Sequence, residues 1–402
     1  MTSIAVDPAS TTWTDPRRVA WHNALIVPVL PFAAGVLAHL TGSDLAWYLG
    51  PVLVFVLMPL LDLVLGRDSV NPPEDQTAVL EADRYYRRIT YAYIPLQYAS
   101  LIYACWLWST GDLSTVAAFG LALTVGTVAG IAINTAHELG HKHPTVERWL
   151  AKVALAQSAY GHFYLEHNRG HHTKVATPED PASSRYGEHF YEFLPRTVVG
   201  SLRSAVHLER DRNARLGQRF WSPRNDLLNA WALSVVLFGG LLAAFGWRIA
   251  PWLVLQAVLG FCLLEVVNYI EHYGLLRTRR ADGRYERCRP EHSWNANNTM
   301  SNLLLFQLQR HSDHHANPLR RYQVLRHVDS APQLPTGYAG MIVLAACPPL
   351  WRRVMDPKVE AFYGGDLSRA NLQGRTRRRL ERQGRIATPA GPATTPAEAA
   401  AR

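Results

Sequence analysis

The chain has 402 residues, of which 48% are apolar and only 18% charged, and it carries a formal charge of +9. That length allows two or three soluble domains or one membrane domain, and the positive excess calls for an anionic partner: a lipid surface, an acidic redox protein or a nucleic acid. No nucleic-acid motif is present, so nucleic acid is set aside. The four cysteines (Cys105, Cys262, Cys288, Cys347) form no CxxC pair, which excludes a disulfide framework, a thiolate zinc site and a fused iron–thiolate electron carrier.

Residues 1–20 are polar and lack the charged, apolar and cleavage regions of a signal peptide, so none is expected. Apolar runs then predict six transmembrane helices, near 24–40, 45–65, 91–108, 113–136, 228–245 and 250–269. Prolines interrupt the first two, which a helical bundle tolerates. Trp21, Trp47, Trp106, Trp108, Trp247 and Trp252 collect at the run ends, as in an aromatic belt.

Charge tests this topology independently. The linkers 41–44, 109–112 and 246–249 contain one basic residue, Arg248. Arg17, Arg18, Arg67, Arg84, Arg87, Arg88 and the many Arg and Lys residues after Lys142 fall on the other side. The positive-inside rule therefore puts both termini in the cytoplasm, in a multi-pass protein of the inner (cytoplasmic) membrane. A large soluble helical protein would have no reason to strip three short linkers of Lys and Arg.

Two cytoplasmic regions remain, 137–227 and 271–402. Their apolar stretches 149–165 and 303–308 are expected as helices closing the molecule from below, and 340–351 as an amphipathic membrane contact. Beyond 366 the composition turns Arg-rich (375–385) and then rich in Thr, Pro and Ala, a tail expected to be disordered. The expectation is an all-α polytopic membrane protein with a cytoplasmic helical cap: a polar segment at 1–20, a membrane-embedded domain at 21–365 and a tail at 366–402.

Nine histidines in four clusters adjoin these runs. His137-Glu138-Leu139-Gly140-His141 puts two imidazoles at i and i+4, on one helix face. Alone it reads as the HExxH of a zinc metalloprotease with Glu138 as general base, but zinc needs three protein ligands and an open position, not six further histidines. In Glu166-His167-Asn168-Arg169-Gly170-His171-His172, His167 and His171 repeat the i, i+4 grip and His172 points about a quarter turn away. His272 follows the sixth run directly. His311-Ser312-Asp313-His314-His315 again has a doublet that can serve two metals.

Nine imidazoles exceed the valence of one ion, so two metals is the economical count. A nitrogen donor set without thiolate suits iron, copper, nickel or zinc. Glu138, Glu166, Glu271 and Asp313 adjoin these histidines and are expected to orient them, since a ligating imidazole usually gives its other N–H to a carboxylate or carbonyl; His162 and His292 are further candidates for that role. His143, His189, His207 and His327 are expected in solvent, and His22 and His39 at the interface.

HELGHK, EHNRGHH, NYIEHYG and LQRHSDHH, in this order on this topology, closely resemble the integral-membrane alkane 1-monooxygenases, part of the wider group of histidine-rich membrane desaturases and hydroxylases. The likeness runs from about Trp21 to Gly365 and includes Pro59-Leu60-Leu61-Asp62, Asn71-Pro72-Pro73-Glu74 and His292-Ser293-Trp294-Asn295. Generic membrane desaturases share the three main histidine boxes but not the segment His272-Tyr273-Gly274.

The resemblance implies a non-haem di-iron centre held by His137, His141, His167, His171, His172, His272, His311, His314 and His315. It also implies oxidation of the terminal methyl of an n-alkane to a 1-alkanol: one atom of O2 enters the alcohol, the other leaves as water, and two electrons come from rubredoxin, reduced in turn by a reductase using NAD(P)H. With that resemblance, Arg169, Lys174, Arg310, Arg320 and Arg321 are candidates for docking an acidic donor. Val54 and Phe55, in the middle of the second run, are candidates for the substrate channel. The rival readings are a membrane fatty-acyl desaturase or a hydroxylase of another hydrophobic substrate, a membrane zinc protease, and a metal transporter.

Overall fold

The computed structural model describes residues 13–387. In chain order its main helices are α1 (Ala20–Thr41), α2 (Asp44–Leu65), α3 (Arg84–Thr110), α4 (Thr115–Gly140), α5 (Thr145–Ala156), α6 (Phe190–Arg215), α7 (Asp226–Phe245), α8 (Trp247–His272), α9 (His311–Ala316), α10 (Tyr338–Ala345), α11 (Pro348–Phe362) and α12 (Gly374–Arg382). A π-helical segment, Glu166–His171, lies between α5 and α6. Among the described residues β-structure amounts to isolated bridges.

Five of these helices, α1, α2, α4, α7 and α8, are long and apolar enough to cross a membrane. The third predicted span falls in α3, which has 27 residues. Arg84, Arg87, Arg88, Gln97 and six tyrosines and threonines in its first two-thirds dilute its hydropathy. Local signals set the helix ends. Ser114 Oγ accepts from Ala117 N, Asn225 Oδ1 from Leu227 N and Leu228 N, and Asp83 from Tyr85 N, while Gly42 and Gly111 close α1 and α3 in the left-handed conformation.

α4 is the centre of the bundle, buried along nearly its whole length from Ala117 to Gly140. Its glycines let α8 lie directly on its backbone: a Cβ on Gly126 would come 2.9 Å from the Leu259 side chain, and one on Gly130 would come 2.9 Å from Leu263. Small residues at such seams are what brings membrane helices together where no hydrophobic force acts between them. On the other side Gly50 of α2 donates its N–H to Thr124 Oγ1, whose hydroxyl in turn donates to Trp47 O.

The outer helices do the opposite and turn apolar side chains outward. Leu63 and Val64 on α2 are each 80% exposed, and Val235 and Val236 on α7 more than 70%. Apolar exposure on this scale around a bundle marks a surface made for lipid.

The short linkers meet at one end, where Ser114 Oγ donates to Asp44 and the Arg248 guanidinium lies over Gly111. α4 and α8 finish at the other end, carrying His137, His141 and His272 into a polar half built from the remaining elements. Several expectations change there. The stretch 149–165 is broken after α5 by Ala159, whose φ is +52°. The stretch 303–308 leaves its helix at Leu304 and passes through Phe306 and Gln307, both left-handed. The stretch 340–351 is split between α10 and α11. The Arg-rich run, expected to be disordered, forms α12, with Leu380 and Thr376 buried. The Thr/Pro/Ala part of the tail from 388 and residues 1–12 lie outside the described residues.

Candidate metal centre

All nine cluster histidines converge in this polar half and divide into two groups. His137, His141, His167, His172 and His314 form one; His171, His272, His311 and His315 form the other. Within each group one nitrogen per ring lies within 4.8 Å of all the rest. Nitrogens bound at roughly 2.1 Å to a common ion sit at most about 4.2 Å apart, so each group is close to the compass of a single coordination sphere.

The backbone explains the division. On α4, His137 and His141 are one α-turn apart and stay together, as their spacing predicts. In the second cluster the spacing misleads, because the π-helical turn over Glu166–His171 places His167 with His172, five residues on, and sends His171 to the other group. An inserted π-turn of this kind is a common device at functional sites. On α9 the ordinary α-period holds: His311 and His315 share a group and His314 crosses to the other.

Strained backbone flanks the ligand segments. Ala159 precedes the π turn, Ala176 (φ +54°) follows it, and Phe306 and Gln307 come just before α9. Each left-handed non-glycine residue costs on the order of 1 kcal/mol. Asn134 Nδ2 donates to Leu305 O and Gln307 Nε2 to Tyr322 O, which holds the last pair in place.

The donor atoms face one another. Nε2 of His167 lies 3.1 Å from Nε2 of both His141 and His172, and His314 Nε2 is 3.2 Å from His172 Nε2. In the second group His311 Nε2 is 3.3 Å from His272 Nε2 and 2.9 Å from His315 Nε2. The buried Nε2 atoms of His137 and His171 have no hydrogen-bond partner. Burial holds the imidazoles of His141, His167, His172, His311, His314 and His315 well below their ordinary titration range, with repulsion from neighbouring imidazoles adding to it. They are therefore neutral at pH 7 and offer lone pairs, which is the state a metal needs. A dense set of neutral nitrogen donors aimed at two points fits two transition-metal ions.

The expected orienting residues behave unequally. Glu271 Oε2 lies 3.1 Å from His311 Nε2. His272 Nδ1 lies 3.1 Å from the backbone carbonyl of His292, so His292 acts through its main chain, while its own Nδ1 accepts from Arg289 N. Glu138 pairs with Lys142 and accepts from Tyr322 N. Asp313 accepts from Arg320, Asn317 and the Arg326 N–H. Both brace the ligand segments without touching a ligand ring. Glu166 packs against Gly170, and the His162 ring stacks edge-on to Tyr160.

Sequence reading missed Asp180, which takes the Nδ1 hydrogen of His171 at 2.9 Å and also accepts from Ser183. Burial pulls the His171 imidazole down, but Asp180 outweighs it and leaves this ring raised. The only signal was an acid in the Pro-Glu-Asp-Pro turn nine residues after the ligand. Also missed was Glu265, buried on α8 and held by Tyr160 Oη, Thr197 Oγ1 and Asn268 Nδ2.

Arg310 does not belong to a docking surface. It is 1% exposed, and its guanidinium donates to the carbonyls of Asp68, Val70 and Leu325. Burial pushes it down to about 9. Its position one residue before a ligand suggested exposure, but it is an internal tie between the chain ahead of α3 and α9. Arg169 is bound to Glu209 and Asp226, Arg320 to Asp313 and Arg321 to Glu147, while Lys174 lines an open surface cavity.

A narrow apolar cavity of about 60 Å³ runs from the bundle interior to this centre. Its walls include Val54 and Met58 of α2 and Leu263 and Val267 of α8, and at its inner end stand His137, His167, His311 and Glu271. Val54 is thus a wall of this cavity; Phe55, the other channel candidate, is not, and lines a separate one.

Residues 114–345 match the fatty acid desaturase family model. The chain is 46% identical to an alkane 1-monooxygenase of Acinetobacter baylyi, over 91% of this chain and 90% of that protein. It is 44% identical to alkane 1-monooxygenase 1 of Alcanivorax borkumensis over 96% of each, and 50% identical to alkane 1-monooxygenase 2 of Pseudomonas aeruginosa over 81% of this chain and 88% of that one.

Proposed function

The chain belongs to the alkane 1-monooxygenase family, within the histidine-rich membrane desaturases and hydroxylases, and from that membership we propose that it hydroxylates the terminal methyl of n-alkanes to 1-alkanols with O2. The observation that carries this reading is the apolar cavity ending on two groups of imidazoles. Iron is the metal we assign to both groups, held by His137, His141, His167, His172 and His314 on one side and by His171, His272, His311 and His315 on the other. Bound there, two irons would supply the activation of O2 that an unactivated C–H bond demands.

The protein's own residues do the rest. An alkane lying along the apolar walls would present an end toward the imidazoles. Holding the reacting carbon close while denying the internal carbons access is a positioning effect. Asp180 fixes the ring of His171, and the His292 carbonyl fixes that of His272, so both present Nε2 inward. Glu271 is the carboxyl at the cavity's inner end.

We read α3 as a sixth span, since it runs beside α1 and α4 through the same bundle. The basic loops then place the histidine end, both termini and the helical cap in the cytoplasm at the inner membrane. There the electrons would come from rubredoxin, with Lys174, Arg169, Arg320 and Arg321 as the candidate residues for docking it. Expression with a rubredoxin and its reductase, with NAD(P)H and n-alkanes supplied under ¹⁸O₂, tests the whole reading. Labelled 1-alkanol is the expected product. Iron-loaded protein that makes no terminal alcohol across a range of chain lengths overturns it, and fatty-acid products in its place would favour the desaturase reading.

A further inference from the structure

A second apolar cavity, of about 350 Å³, opens beside the first. Its mouth is made by Phe55 of α2, Cys262 of α8, Tyr191 at the start of α6 and Val343 of α10. The two cavities share two lining residues, Leu263 and Ile342. These side chains are therefore a common wall: the inner cavity, with its imidazoles, lies on one side and the outer one on the other.

The outer cavity opens on the face of the bundle made for lipid. Val343 is 45% exposed, Val254 and Val258 continue an apolar exposed stripe along α8, and Val56 and Leu57 do the same on α2. Tyr191 marks the polar end of the opening, where its hydroxyl donates to Ala346 O and ties α6 to the end of α10. Neither cavity has a Lys or Arg among its lining residues. A fatty acid would bring a carboxylate with nothing to pair it, whereas an alkane brings only methylenes and suits both chambers.

We propose that Leu263 and Ile342 form a lateral gate through which the alkane passes from the bilayer, and that the tail of a long chain remains threaded between them while its far methyl reaches the imidazoles. This rests on the alkane-hydroxylase reading above. The seat of Leu263 supports it. Its side chain sits directly on the bare backbone of Gly130, itself a wall of the inner cavity, in space that a Cβ there would take, so it is held by close packing on a glycine and not by a polar tie. Ile342 sits on α10, an eight-residue helix that carries no ligand.

The test uses the full chain in lipid vesicles with its electron donor. Leu263→Trp and Ile342→Trp are each expected to raise KM for hexadecane on the order of tenfold and to raise it much less for octane, with bound metal unchanged. Leu263→Ala is expected to shift preference toward the longer chain. Cys262, at the mouth, gives a reading that needs no turnover. In a Cys288→Ser, Cys347→Ser background, alkylation of Cys262 by a lipid-soluble maleimide should slow several-fold when the vesicles contain hexadecane. The gate is overturned if both tryptophan variants, active and metal-loaded, keep the wild-type ratio of hexadecane to octane KM, or if hexadecane leaves Cys262 labelling unchanged. If the wild-type chain makes no 1-alkanol at all, the parent reading fails instead, and the labelling still decides whether an alkane occupies this passage.

Discussion

The five-imidazole group draws its rings from α4 and the residue after it, the π segment and the residue after it, and α9, and no side-chain acid among the described residues comes within hydrogen-bond distance of any of them. The four-imidazole group takes its rings from the π segment, α8 and α9 and is flanked by two carboxyls, Asp180 on His171 and Glu271 beside His311. The first is rich in donors and plain in surroundings. The second has fewer donors, and outside groups orient and charge-balance it. Both reach the apolar cavity, His137 and His167 from one and His311 with Glu271 from the other. Two ions held here would therefore differ in charge environment although all nine ligands are the same residue type.

Removing a ring tests this most severely. His272 is the only ligand from α8, and His272→Ala leaves three nitrogens in its group. Bound iron should fall from about two to about one per chain, and alkanol formation should drop on the order of 100-fold or more, since losing a ligand costs more than losing a partner of one. His141→Ala leaves four nitrogens in its group and should retain more metal than His272→Ala. Equal losses, measured by elemental analysis of purified protein, would erase the distinction.

The carboxyls come next. Asp180→Asn removes the acceptor that orients His171 and should weaken metal binding by about 10–100-fold in a chelator competition, with turnover per bound iron largely kept. Glu271→Gln should do the reverse, lowering kcat with the metal still in place. If both variants act alike, the two acids share one role.

Acid is a gentler probe. Six buried imidazoles have folded-state values well below the unfolded value of about 6.5. Between those limits the unfolded chain binds protons that the folded chain does not, so stability is full above pH ~6.5 and declines as pH falls below it. His171, whose value is raised, contributes with the opposite sign. Tm of metal-free protein should therefore fall on acidification below that point, and a flat profile would count against neutral buried imidazoles. The smallest effect on the centre itself should come from Val54→Trp, which fills the cavity away from both groups. Iron content should be unchanged while the longest alkane accepted shortens, read from product profiles.

Much of this could be read from the chain because the signals were local. His137 and His141 share a helix face by spacing alone, and the doublets split between the two groups as their geometry suggests. The pairing of His167 with His172 was not legible, because nothing in Asn168-Arg169-Gly170 announces a π-turn. Asp180 reaches His171 only through a turn stabilised by Ser183. Arg310 looked like a surface residue because its partners are backbone carbonyls, which leave no mark in a sequence. α3 shows the converse: its apolar run 91–108 reads as a span, while the hydropathy of the whole helix is kept low by polar groups that the bundle buries, such as Gln97 donating to Ala154 O.

α2 supplies Val54 and Met58 to the cavity wall and Phe55 to the outer chamber, yet it carries none of the nine ligands. Substitutions there would be expected to change what this enzyme accepts without touching the ligand set. A change in α2 would be expected to alter the length of hydrocarbon accepted, whereas α4 and α8, which bear ligands and interlock at Gly126 and Gly130, have little freedom to follow. Lineages exposed to different oils would be expected to diverge first along this one helix.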